Sequence, residues 1–361
     1  MSEDRVVVAM SGGVDSSVAA AFLIEKGYEV IGVTIKRWSE SFDRDSWKDI
    51  EDARRVAEKL KIPHHVLSLD AQFERKVVDY FVSEYLKGRT PNPCALCNPN
   101  IKFGDLFLFA ERMNAKYICT GHYAIISSRD GMPVLRRGKE RAKDQSYFLA
   151  RLKRESLSRI IFPVGSFPKS KIRKLAERFG LHISDKKESQ EVCFVPDGKV
   201  AEFVKRYSGS KILPGPIVDM DGNVIGTHDG IVGYTIGQRK GLGVSSDRPL
   251  YIIKIDCSTN TIYVGNKEDL YNKRFIAKNP NWIGFDGGME AFRAVVKIRY
   301  QHRAAAARIR VVDSSQLDIQ FEKKQRAITP GQLAVFYDGD VVLGSAWIDR
   351  VINEKNEKEK Q

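Results

Sequence analysis

Apolar residues in the first part of the chain recur with the alternating periods of strands and helices. Arg5–Met10 (RVVVAM) is a short apolar run typical of a buried strand, and Ser16–Lys26 has an apolar pattern of helical period that ends at Gly27. Tyr28–Ile35 predicts the next strand. The alternation continues through the predicted helices Trp47–Leu60, Ala71–Leu86 and Lys102–Met113 and the predicted strands His65–Ser68 and Ala115–Thr120. Strands that alternate with helices predict an α/β domain with a doubly wound parallel sheet, over residues 1–204.

The pattern changes after about Val204 to short β-like runs separated by Gly, Pro and Asp residues. Examples are Lys211–Gly215, Met220–Asn223 and Leu250–Val264. Because short apolar runs between turn-forming residues indicate strands, a small β-rich central domain is predicted over residues 205–268.

A third pattern of alternating apolar and polar positions covers the C-terminal part of the chain. Its predicted strands are Ala291–Ile298, Ala306–Val312, Leu317–Phe321, Leu333–Tyr337 and Val341–Trp347. Several short strands in succession suit a small β-barrel, predicted over residues 269–352 and expected to contact tRNA for the reasons given below. Residues 353–361 are a Lys/Glu run, which predicts a disordered charged tail.

The composition is that of a globular protein, since 42% of the 361 residues are hydrophobic and 29% are charged. A chain of this length is expected to form two or three domains, and general disorder is excluded. The sequence has no apolar run long enough to span a membrane, and Met1–Met10 lacks the basic start and apolar core of a signal peptide. We therefore expect a cytoplasmic protein without membrane contact.

The net charge of +13 predicts attraction to polyanions, of which phosphate backbones are the commonest in a cytoplasm. Five cysteines are an odd number in a reducing compartment, which argues against a disulfide framework and for metal, redox or nucleophilic use of some of them. They are Cys94, Cys97, Cys119, Cys193 and Cys257.

The segment Ser11–Ser16 (SGGVDS) lies between the first predicted strand and the first predicted helix. Its glycines allow backbone amides to approach a phosphate, and the N-terminus of the helix favours an anion. The segment has neither the Gly-Lys-Ser/Thr of a P-loop nor the Gly-x-Gly-x-x-Gly of a dinucleotide-binding loop. We interpret it as an anion-binding loop; the alternative is a tight turn in which Asp15 and Ser16 cap the helix.

A pair of thiols stands in the segment Thr90–Asn98 (TPNPCALCN), where prolines favour an extended loop. Cys94 and Cys97 form a CxxC motif, which can be half of a zinc site, a redox pair, a set of cluster ligands or a reactive site. A closed zinc site would need two further ligands.

Cys193 lies in a loop-like segment (SQEVCFVPDG) after a turn that contains Lys186 and Lys187. Cationic neighbours favour a thiolate, although a single cysteine is more often a small core residue. Cys119 (in YICTG) and Cys257 (in IIKIDC) lie on apolar segments and are expected to be buried without a chemical role.

Two basic segments interleave cations with aromatic residues: Lys143–Leu149 (KDQSYFL) and Lys297–Arg303 (KIRYQHR). This combination is expected where a protein contacts phosphates and stacks on an unpaired base. The alternative for each segment is a solvated strand face with extended lysines.

SGGVDS in its strand–loop–helix setting resembles the PP-loop of the ATP pyrophosphatases, which cleave ATP to AMP and pyrophosphate while adenylating an oxygen. Further motifs occur in the order found in the tRNA-specific 2-thiouridylase (MnmA) family, and the resemblance covers nearly the whole chain apart from the tail. They are TPNPCALCN, TGHYA, KDQSYFL, ESQEVCFVPDG, GYTIGQRKGLG, KIRYQHR and TPGQLAVFY. SGGVDS alone is also compatible with PP-loop ligases that act on small substrates. The cysteines alone are also compatible with a non-catalytic RNA-binding sulfur carrier.

The resemblance implies a role for particular residues. Cys97 resembles the family's catalytic nucleophile, and Cys193 resembles its persulfide carrier. ATP, with Mg²⁺, would be bound by Ala9, Met10, Ser11, Gly12, Gly13, Val14, Asp15, Ser16, Ile35 and Gly121. The target base and the rest of the tRNA would be contacted by Asn92, Pro93, Cys94, His122, Lys143, Asp144, Gln145, Arg299, Tyr300 and Gln332.

The implied reaction is thiolation of the wobble uridine (U34) in the tRNA anticodon loop, with a persulfide donor or relay protein as the sulfur source. Cys94 stands where other members have Asp, so this chain has a thiol and no carboxylate at this position. Three cysteines, Cys94, Cys97 and Cys193, could instead hold a [4Fe–4S] cluster whose fourth position binds sulfide. The persulfide route, which requires no metal beyond Mg²⁺, is the first prediction and the cluster is its alternative.

Overall fold

The computed structural model describes residues 4–36, 38, 44–181, 192–195 and 198–352, with the backbone alone for 44–46. The predicted disordered tail 353–361 and the cationic turn at Lys186 and Lys187 lie outside the described residues.

The described part of the chain alternates helices and strands up to about residue 208 and is almost entirely β thereafter. The strands are β1 (Arg5–Ala9), β2 (Glu29–Lys36), β3 (His64–Ser68), β4 (Tyr117–Thr120), β5 (Ala124–Arg129), β6 (Met132–Arg137), β7 (Ile160–Ile161), β8 (Gly215–Val218), β9 (Val224–His228), β10 (Tyr251–Asp256), β11 (Thr261–Gly265), β12 (Tyr271–Trp282), β13 (Ala291–Lys297), β14 (Ala305–Asp313), β15 (Gln316–Arg326), β16 (Leu333–Asp338) and β17 (Val341–Ile352). The helices are α1 (Val14–Glu25), α2 (Arg44–Leu60), α3 (Asp70–Phe73), α4 (Asp79–Leu86), α5 (Pro93–Cys97), α6 (Phe103–Arg112), α7 (Ser146–Leu149), α8 (Lys169–Arg178) and α9 (Val200–Ser208). Among these residues, no helix is both long and apolar enough to cross a membrane.

Five strands form a parallel sheet in the order β3-β2-β1-β4-β7. The valines of β1 are fully buried, with Val7 in one apolar cluster and Val6 and Val8 in another. Helix α6 packs on the first face, and α1, α2 and α8 pack on the second. Because successive side chains of a strand point to opposite faces, the continuous apolar run requires helices on both sides. The predicted doubly wound parallel sheet is confirmed.

Two helical runs contain a wider, π-type turn. Glu74–Val78 joins α3 to α4, and Asn98–Lys102 joins α5 to α6. The predicted helix Ala71–Leu86 is thus one run with an irregular centre, and the CxxC segment opens the run that continues as α6. Such turns are frequent at functional sites because they redirect side chains without ending the helix.

The central unit is a sheet of four strands in the order β10-β11-β8-β9. Residues 220–223, predicted among the β-like runs, form the turn between β8 and β9, where the Asp219 carboxylate accepts hydrogen bonds from the Asp221 and Asn223 amides and Gly222 has φ +92°. Of Lys211–Gly215 only Gly215 belongs to a strand. The hydrogen bonds of Asp219 thus favour a turn at residues 220–223 over the predicted strand. The apolar residues Leu213 and Met220, which suggested strands here, are both exposed.

The C-terminal unit is a closed antiparallel barrel of six strands, β12-β15-β14-β13-β16-β17, in which β12 also pairs with β17. The predicted barrel is confirmed, but its closing strand β12 was not among the predicted strands. The sequence of β12 (YNKRFIAKNPNW) is rich in polar residues, and only Phe275, Ile276 and Ala277 of this strand are buried. It therefore lacks the apolar pattern by which a strand is predicted.

The β5–β6 hairpin connects the first unit to the barrel. Strand β6 pairs with β17 at Arg136 and Val341, and the guanidinium of Arg137 lies 3.8 Å from the ring centroid of Tyr337. The barrel is therefore joined through a continuous sheet to the chain segment that follows β4.

Candidate functional site

The loop Met10–Gly13 follows β1, and Gly121 follows β4, the neighbouring strand. Both segments therefore lie at the carboxyl edge of the parallel sheet. Helices pack on both faces of this sheet, and in a doubly wound sheet the carboxyl ends of two such neighbouring strands form a crevice for ligands. The nucleotide residues implied by the sequence, including Ala9 at the end of β1 and Ile35 near the end of β2, meet at this edge.

Two glycines in this crevice are required by close backbone contacts. Gly12 has φ +68°, and a Cβ there would lie 2.4 Å from the Asp49 carbonyl oxygen. A Cβ at Gly121 would lie 2.6 Å from the Ser16 backbone nitrogen. Gly121 thus permits the first turn of α1 to pack against the loop after β4, a reason different from the predicted direct approach to a nucleotide.

Hydroxyl groups organise the loop from within. The Ser16 and Ser17 hydroxyls donate to the Gly13 carbonyl oxygen at 3.1 and 2.9 Å, and Ser16 Oγ accepts from the Ser11 amide at 3.1 Å. Gly13 is the residue before the helix, and no side chain caps α1. The alternative prediction, a turn in which Asp15 and Ser16 cap the helix, is therefore wrong.

The Asp15 carboxylate is held by two residues that sequence reasoning missed. Lys169 Nζ lies 2.8 and 2.7 Å from Asp15 Oδ1 and Oδ2, and the Tyr123 hydroxyl donates to Oδ1 at 2.7 Å. Lys169 is the first residue of α8 and is 7% exposed. No residue pattern marks a lysine as buried, so its position could be found only from the structure.

The CxxC motif occupies the start of the helical run that begins at α5. The Asn92 side chain caps α5 by accepting a hydrogen bond from the Ala95 amide at 3.2 Å, and Pro93 occupies the first helical position. Asn92 and Pro93 are buried, whereas Cys94 is exposed and Cys97 is partly buried. Asn92 therefore shapes the loop that presents the thiols, and its amide oxygen is committed to the cap.

Cys94, Cys97 and Cys193 form a thiol cluster, and Lys102 lies beside the CxxC pair. Burial raises the pKa of the Cys97 thiol to about 12, with the Lys102 ammonium opposing this rise and the Cys193 and Cys94 thiols adding to it. The Cys94 side chain is reached by solvent but surrounded by protein, which raises the pKa of its thiol, and Cys193 adds to this effect. The fold thus brings Cys193 close to a CxxC motif that is distant in the chain.

Cys193 is exposed, but the residues beside it are anchored in an aromatic cluster. The ring centroid of Phe194 lies 5.1 Å from that of Phe81 and 5.5 Å from that of Phe73. Cys97 packs against the same cluster. Aromatic contacts of this kind fix a short segment firmly, so they hold the Cys193 thiol near Cys97 while leaving it accessible.

The thiol cluster does not form a metal site in this structure. Among the described residues, which include all three thiols, no three His, Cys, Asp or Glu side chains are arranged to hold one metal ion. A [4Fe–4S] cluster binds each cysteine through a different iron and so spaces its ligands more widely than one metal ion does, and this finding therefore concerns single ions alone.

His122 connects the nucleotide crevice to the thiol cluster, because it directly follows Gly121. Thr120 Oγ1 lies 2.7 Å from His122 Nδ1, and the imidazole packs between the rings of Phe103 and Phe162 at 6.0 Å. Burial, and to a lesser degree Lys102, lowers the pKa of His122 well below its ordinary value. The imidazole is therefore neutral at pH 7.

The barrel holds the cysteine loop in place. Gln332 Nε2 donates to the carbonyl oxygens of Thr90 and Pro91, each at 3.1 Å, and the Thr90 amide donates to Pro330 O at 3.0 Å. A Cβ at Gly331 would lie 2.7 Å from the Thr90 carbonyl oxygen. Gln332, expected as an RNA contact, thus binds the backbone of the loop that carries the CxxC motif.

The other expected tRNA contacts divide into buried and accessible groups. Asp144 is 3% exposed and accepts hydrogen bonds from the Gly138 and Ser146 amides, so it shapes its own loop and offers no acceptor to RNA. Gln145 binds the Tyr123 amide at 2.9 Å. Partly exposed side chains are found at four of these positions: Lys143, Gln145, Arg299 and Tyr300.

Arg299 and Tyr300 both have contacts within the protein. Arg299 Nη1 donates to the Arg326 carbonyl oxygen at 2.9 Å. The ring of Tyr300 lies 4.6 Å from that of Phe148, and Lys297 Nζ lies 5.2 Å from the Tyr300 centroid. The two basic segments predicted for RNA contact are thereby brought together in space.

The two remaining cysteines differ from each other. Cys119 is fully buried in β4, as expected. Cys257 is exposed, and its predicted burial is wrong, because β10 ends at Asp256, whose carboxylate accepts hydrogen bonds from the Ser258 amide and hydroxyl and so starts a turn.

Three protein-family models match this chain in succession. They are described as a tRNA methyl transferase HUP domain (residues 4–197), a tRNA methyl transferase PRC-barrel domain (residues 201–266) and an aminomethyltransferase beta-barrel domain (residues 272–348).

Curated relatives match over almost their full length. The tRNA-specific 2-thiouridylase MnmA 1 of Caldanaerobacter subterraneus subsp. tengcongensis is 47% identical, covering 97% of this chain and 99% of the relative. The tRNA-specific 2-thiouridylase MnmA of Geotalea uraniireducens is 46% identical, covering 97% and 96%.

Two solved structures resemble this chain in part. A 4-thiouridine synthetase in complex with RNA and ATP is 20% identical with a TM-score of 0.35, covering 51% of this chain and 43% of that one. The U34-tRNA thiolase NcsA of Methanococcus maripaludis with its [4Fe-4S] cluster is 19% identical with a TM-score of 0.35, covering 58% and 65%. These partial likenesses carry no functional conclusion, whereas the full-length relatives do: the chain belongs to the tRNA-specific 2-thiouridylase (MnmA) family and is a tRNA-uridine sulfurtransferase.

Proposed function

We propose that this enzyme adenylates the 2-oxygen of the wobble uridine (U34) of tRNA with ATP and replaces that oxygen with sulfur from a persulfide on Cys193. The observation that carries the proposal is the pair Gly121 and His122. Gly121 packs against the Ser16 backbone in the nucleotide loop, and His122 lies within electrostatic reach of Lys102, the cation of the thiol cluster. One short segment therefore joins an ATP-type loop to a pair of candidate sulfur-handling thiols.

The first step solves a chemical difficulty, because a uracil carbonyl has no leaving group at C2. The 2-oxygen attacks the α-phosphorus of ATP, the bond between this phosphorus and the bridging oxygen to the β-phosphate breaks, and pyrophosphate departs with the bond's electron pair. Backbone amides of Gly12 and Gly13 would bind the pyrophosphate, and the Asp15 carboxylate is the group suited to bind Mg²⁺ there. Mg²⁺, when bound, supplies charge stabilisation for the leaving group.

In the second step the terminal sulfur of Cys193–S–S⁻ attacks C2, and the 2-oxygen leaves as part of AMP. The Cys97 thiolate then attacks the Cys193 sulfur, which breaks the sulfur–sulfur bond to the substrate and forms a Cys97–Cys193 disulfide with 2-thiouridine. The thiols of Cys97 and Cys193 supply the two electrons that reduce the transferred sulfur. A dithiol reductant must therefore reduce the Cys97–Cys193 disulfide before the next turnover.

The partners of this reaction follow from its chemistry. The base must be unstacked to reach a protein pocket, which an anticodon loop allows. A persulfide donor or relay protein must reload Cys193, which is exposed. The reducing conditions needed to reopen the disulfide fit a cytoplasmic location.

The persulfide route requires no iron–sulfur cluster, and no step of the proposed mechanism is routed through one. Anaerobic purification, with iron and sulfide analysis of wild type and Cys94→Ala, tests this choice directly. The persulfide route predicts iron-free protein that thiolates tRNA from a persulfide donor. About four irons per chain, lost together with activity in Cys94→Ala, would contradict it.

The proposal as a whole is tested by pyrophosphate release with and without tRNA, combined with nucleoside analysis of the tRNA. We expect release that depends on tRNA and 2-thiouridine that depends on both ATP and the persulfide donor. Release without tRNA, in the presence of a small substrate, would point to another PP-loop ligase. Thiolation or sulfur binding that does not require ATP would instead indicate a sulfur carrier.

A further inference from the structure

Two arginines face each other on the outer surface of the barrel. Arg293 of β13 and Arg308 of β14 are cross-strand partners in the antiparallel register, and both side chains are exposed. Residues in such a pair have Cβ atoms about 5 Å apart. Arg310, the next outward residue of β14, is paired with Asp318 at 2.8 Å, whereas Arg293 and Arg308 have no ion-pair or hydrogen-bond partner among the described residues. We call these two residues the arginine pair.

The barrel itself does not require the arginine pair. The core is filled by the inward neighbours of the two arginines, Ala294, Ala307 and Ile309, which lie on the opposite face of the strands. Like charges directly opposite each other on a sheet are destabilising. Two guanidinium groups that the described part of the chain does not neutralise are explained if an anion from outside binds between them.

A cavity of about 260 Å³ lies at the arginine pair. It is lined by Ala291, Phe292, Arg293 and Arg308. Guanidinium groups bind phosphate oxygens through paired hydrogen bonds, and two of them can share one phosphate. Ala291 and Phe292 add an apolar wall. The cavity therefore fits a phosphodiester group, whose charged oxygens would face the arginines and whose sugar would contact the apolar wall.

The arginine pair is aligned with a segment expected to contact RNA. Because side chains of a strand alternate, Lys297, Val295 and Arg293 lie on the same side of β13. Lys297 Nζ lies 5.2 Å from the ring centroid of Tyr300. Four residues at about 3.4 Å each place the arginine pair about 14 Å from Lys297 along the strand. The cross-strand pair between them, Val295 and Ala306, is uncharged and leaves a path for an RNA strand.

We propose that Arg293 and Arg308 together bind one backbone phosphate of the tRNA, at a site separate from the target base. The proposal rests on tRNA being the substrate, as proposed above, but not on the adenylation or sulfur-transfer steps. A stacked strand rises about 3.4 Å per nucleotide, so the bound phosphate would lie about four nucleotides from the nucleotide beside Tyr300. A phosphate contact carries no base sequence, so this site positions the anticodon arm.

The test measures the affinity of the full chain for unmodified tRNA by filter binding at several salt concentrations. Arg293→Gln and Arg308→Gln should each weaken binding about 10-fold, the loss expected for one charged hydrogen-bonded contact. Because both arginines bind the same phosphate, the double variant should lower the slope of log K against log salt by about one. A decrease of about two would give each arginine its own phosphate and overturn the shared site. Arg112→Gln, at an exposed arginine that ends α6, is the matched control and should change neither value.

A structural role for the arginine pair makes a different prediction. Removing one of two opposed like charges should not lower the melting temperature of the free protein, so a melting temperature that falls together with the affinity would overturn the proposal.

Ethylation of single tRNA phosphates locates the contact. One ethylated phosphate should weaken binding to the wild type but not to the double variant. The same set of interfering phosphates in both proteins, or wild-type affinity and salt slope in the double variant, would also overturn the proposal. Pyrophosphate release by the wild type on addition of tRNA is measured separately, so the proposed function can hold while this inference fails.

Discussion

At the scale of single residues, the three thiols of the cluster differ in accessibility. Cys94 and Cys193 are exposed, and Cys97 is partly buried beside Lys102. A carrier must accept sulfur from outside, whereas a resolving nucleophile need only reach the carrier. The observed order of exposure therefore agrees with the division of roles between Cys193 and Cys97.

Substitution of either proposed sulfur-handling residue separates the two half-reactions. Cys97→Ala and Cys193→Ala should each abolish 2-thiouridine formation but retain tRNA-dependent pyrophosphate release, because adenylation precedes sulfur transfer. Cys257→Ala, at an exposed cysteine in the turn between β10 and β11, should retain both activities and is the control. Normal thiolation by Cys97→Ala would remove this residue from the mechanism.

The raised pKa of Cys97 gives a pH prediction. With a pKa of about 12, the thiol is almost wholly protonated at pH 7, and below the pKa the thiolate fraction rises about tenfold for each pH unit. In a Cys94→Ala, Cys193→Ala background, alkylation of Cys97 by iodoacetamide, followed by peptide mass spectrometry, should accelerate accordingly between pH 7 and 9. Lys102→Met should slow alkylation, because the ammonium opposes the rise in pKa. A rate that levels off below pH 8 would show an activated thiolate and contradict the argument.

At the scale of secondary-structure elements, the sequence predicted the centre of the parallel sheet well because β1 and β2 are short continuous apolar runs, but the two-residue strand β7 was not predicted. It failed where local chemistry or long-range pairing decides the structure. The turn that follows β8 is set by Asp219, and β12 forms a strand because β15 and β17 pair with it on both sides. Lys169 shows the same limit for the site, since neither its burial nor its pairing with Asp15 follows from local sequence.

The contact between the barrel loop and the cysteine loop predicts a defect in sulfur transfer. Gln332→Ala removes two hydrogen bonds from the Thr90 and Pro91 carbonyl groups, which costs about 1–2 kcal/mol of local stability. We expect thiolation to fall about tenfold while tRNA-dependent pyrophosphate release persists. Gln320→Ala, at an exposed position on β15, should change neither rate. Equal loss of both half-reactions would show that Gln332 contacts tRNA or serves overall folding instead.

At the scale of the whole molecule, the barrel and the β5–β6 hairpin form one sheet, the hairpin directly follows β4 of the parallel sheet, and the chain carries a net charge of +13. Phosphate contacts should supply most of the tRNA affinity, so log K should fall linearly with log salt concentration. Lys143→Ala should lower the slope by about one, and Lys26→Ala, an exposed lysine at the end of α1, is the comparison. Arg299 is less suitable because it also holds the barrel backbone. A salt-independent affinity would contradict an RNA role for this charge.

The central claim is that ATP activates the 2-oxygen of the base. We would test it with tRNA whose U34 carries ¹⁸O at the 2-position, in a single turnover with unlabelled ATP and persulfide donor, by mass spectrometry of the AMP formed. Adenylation transfers the 2-oxygen to the α-phosphate, so AMP should contain one ¹⁸O for each 2-thiouridine produced. Thiolation accompanied by unlabelled AMP would contradict the account, because the 2-oxygen would then have left without bonding to phosphorus.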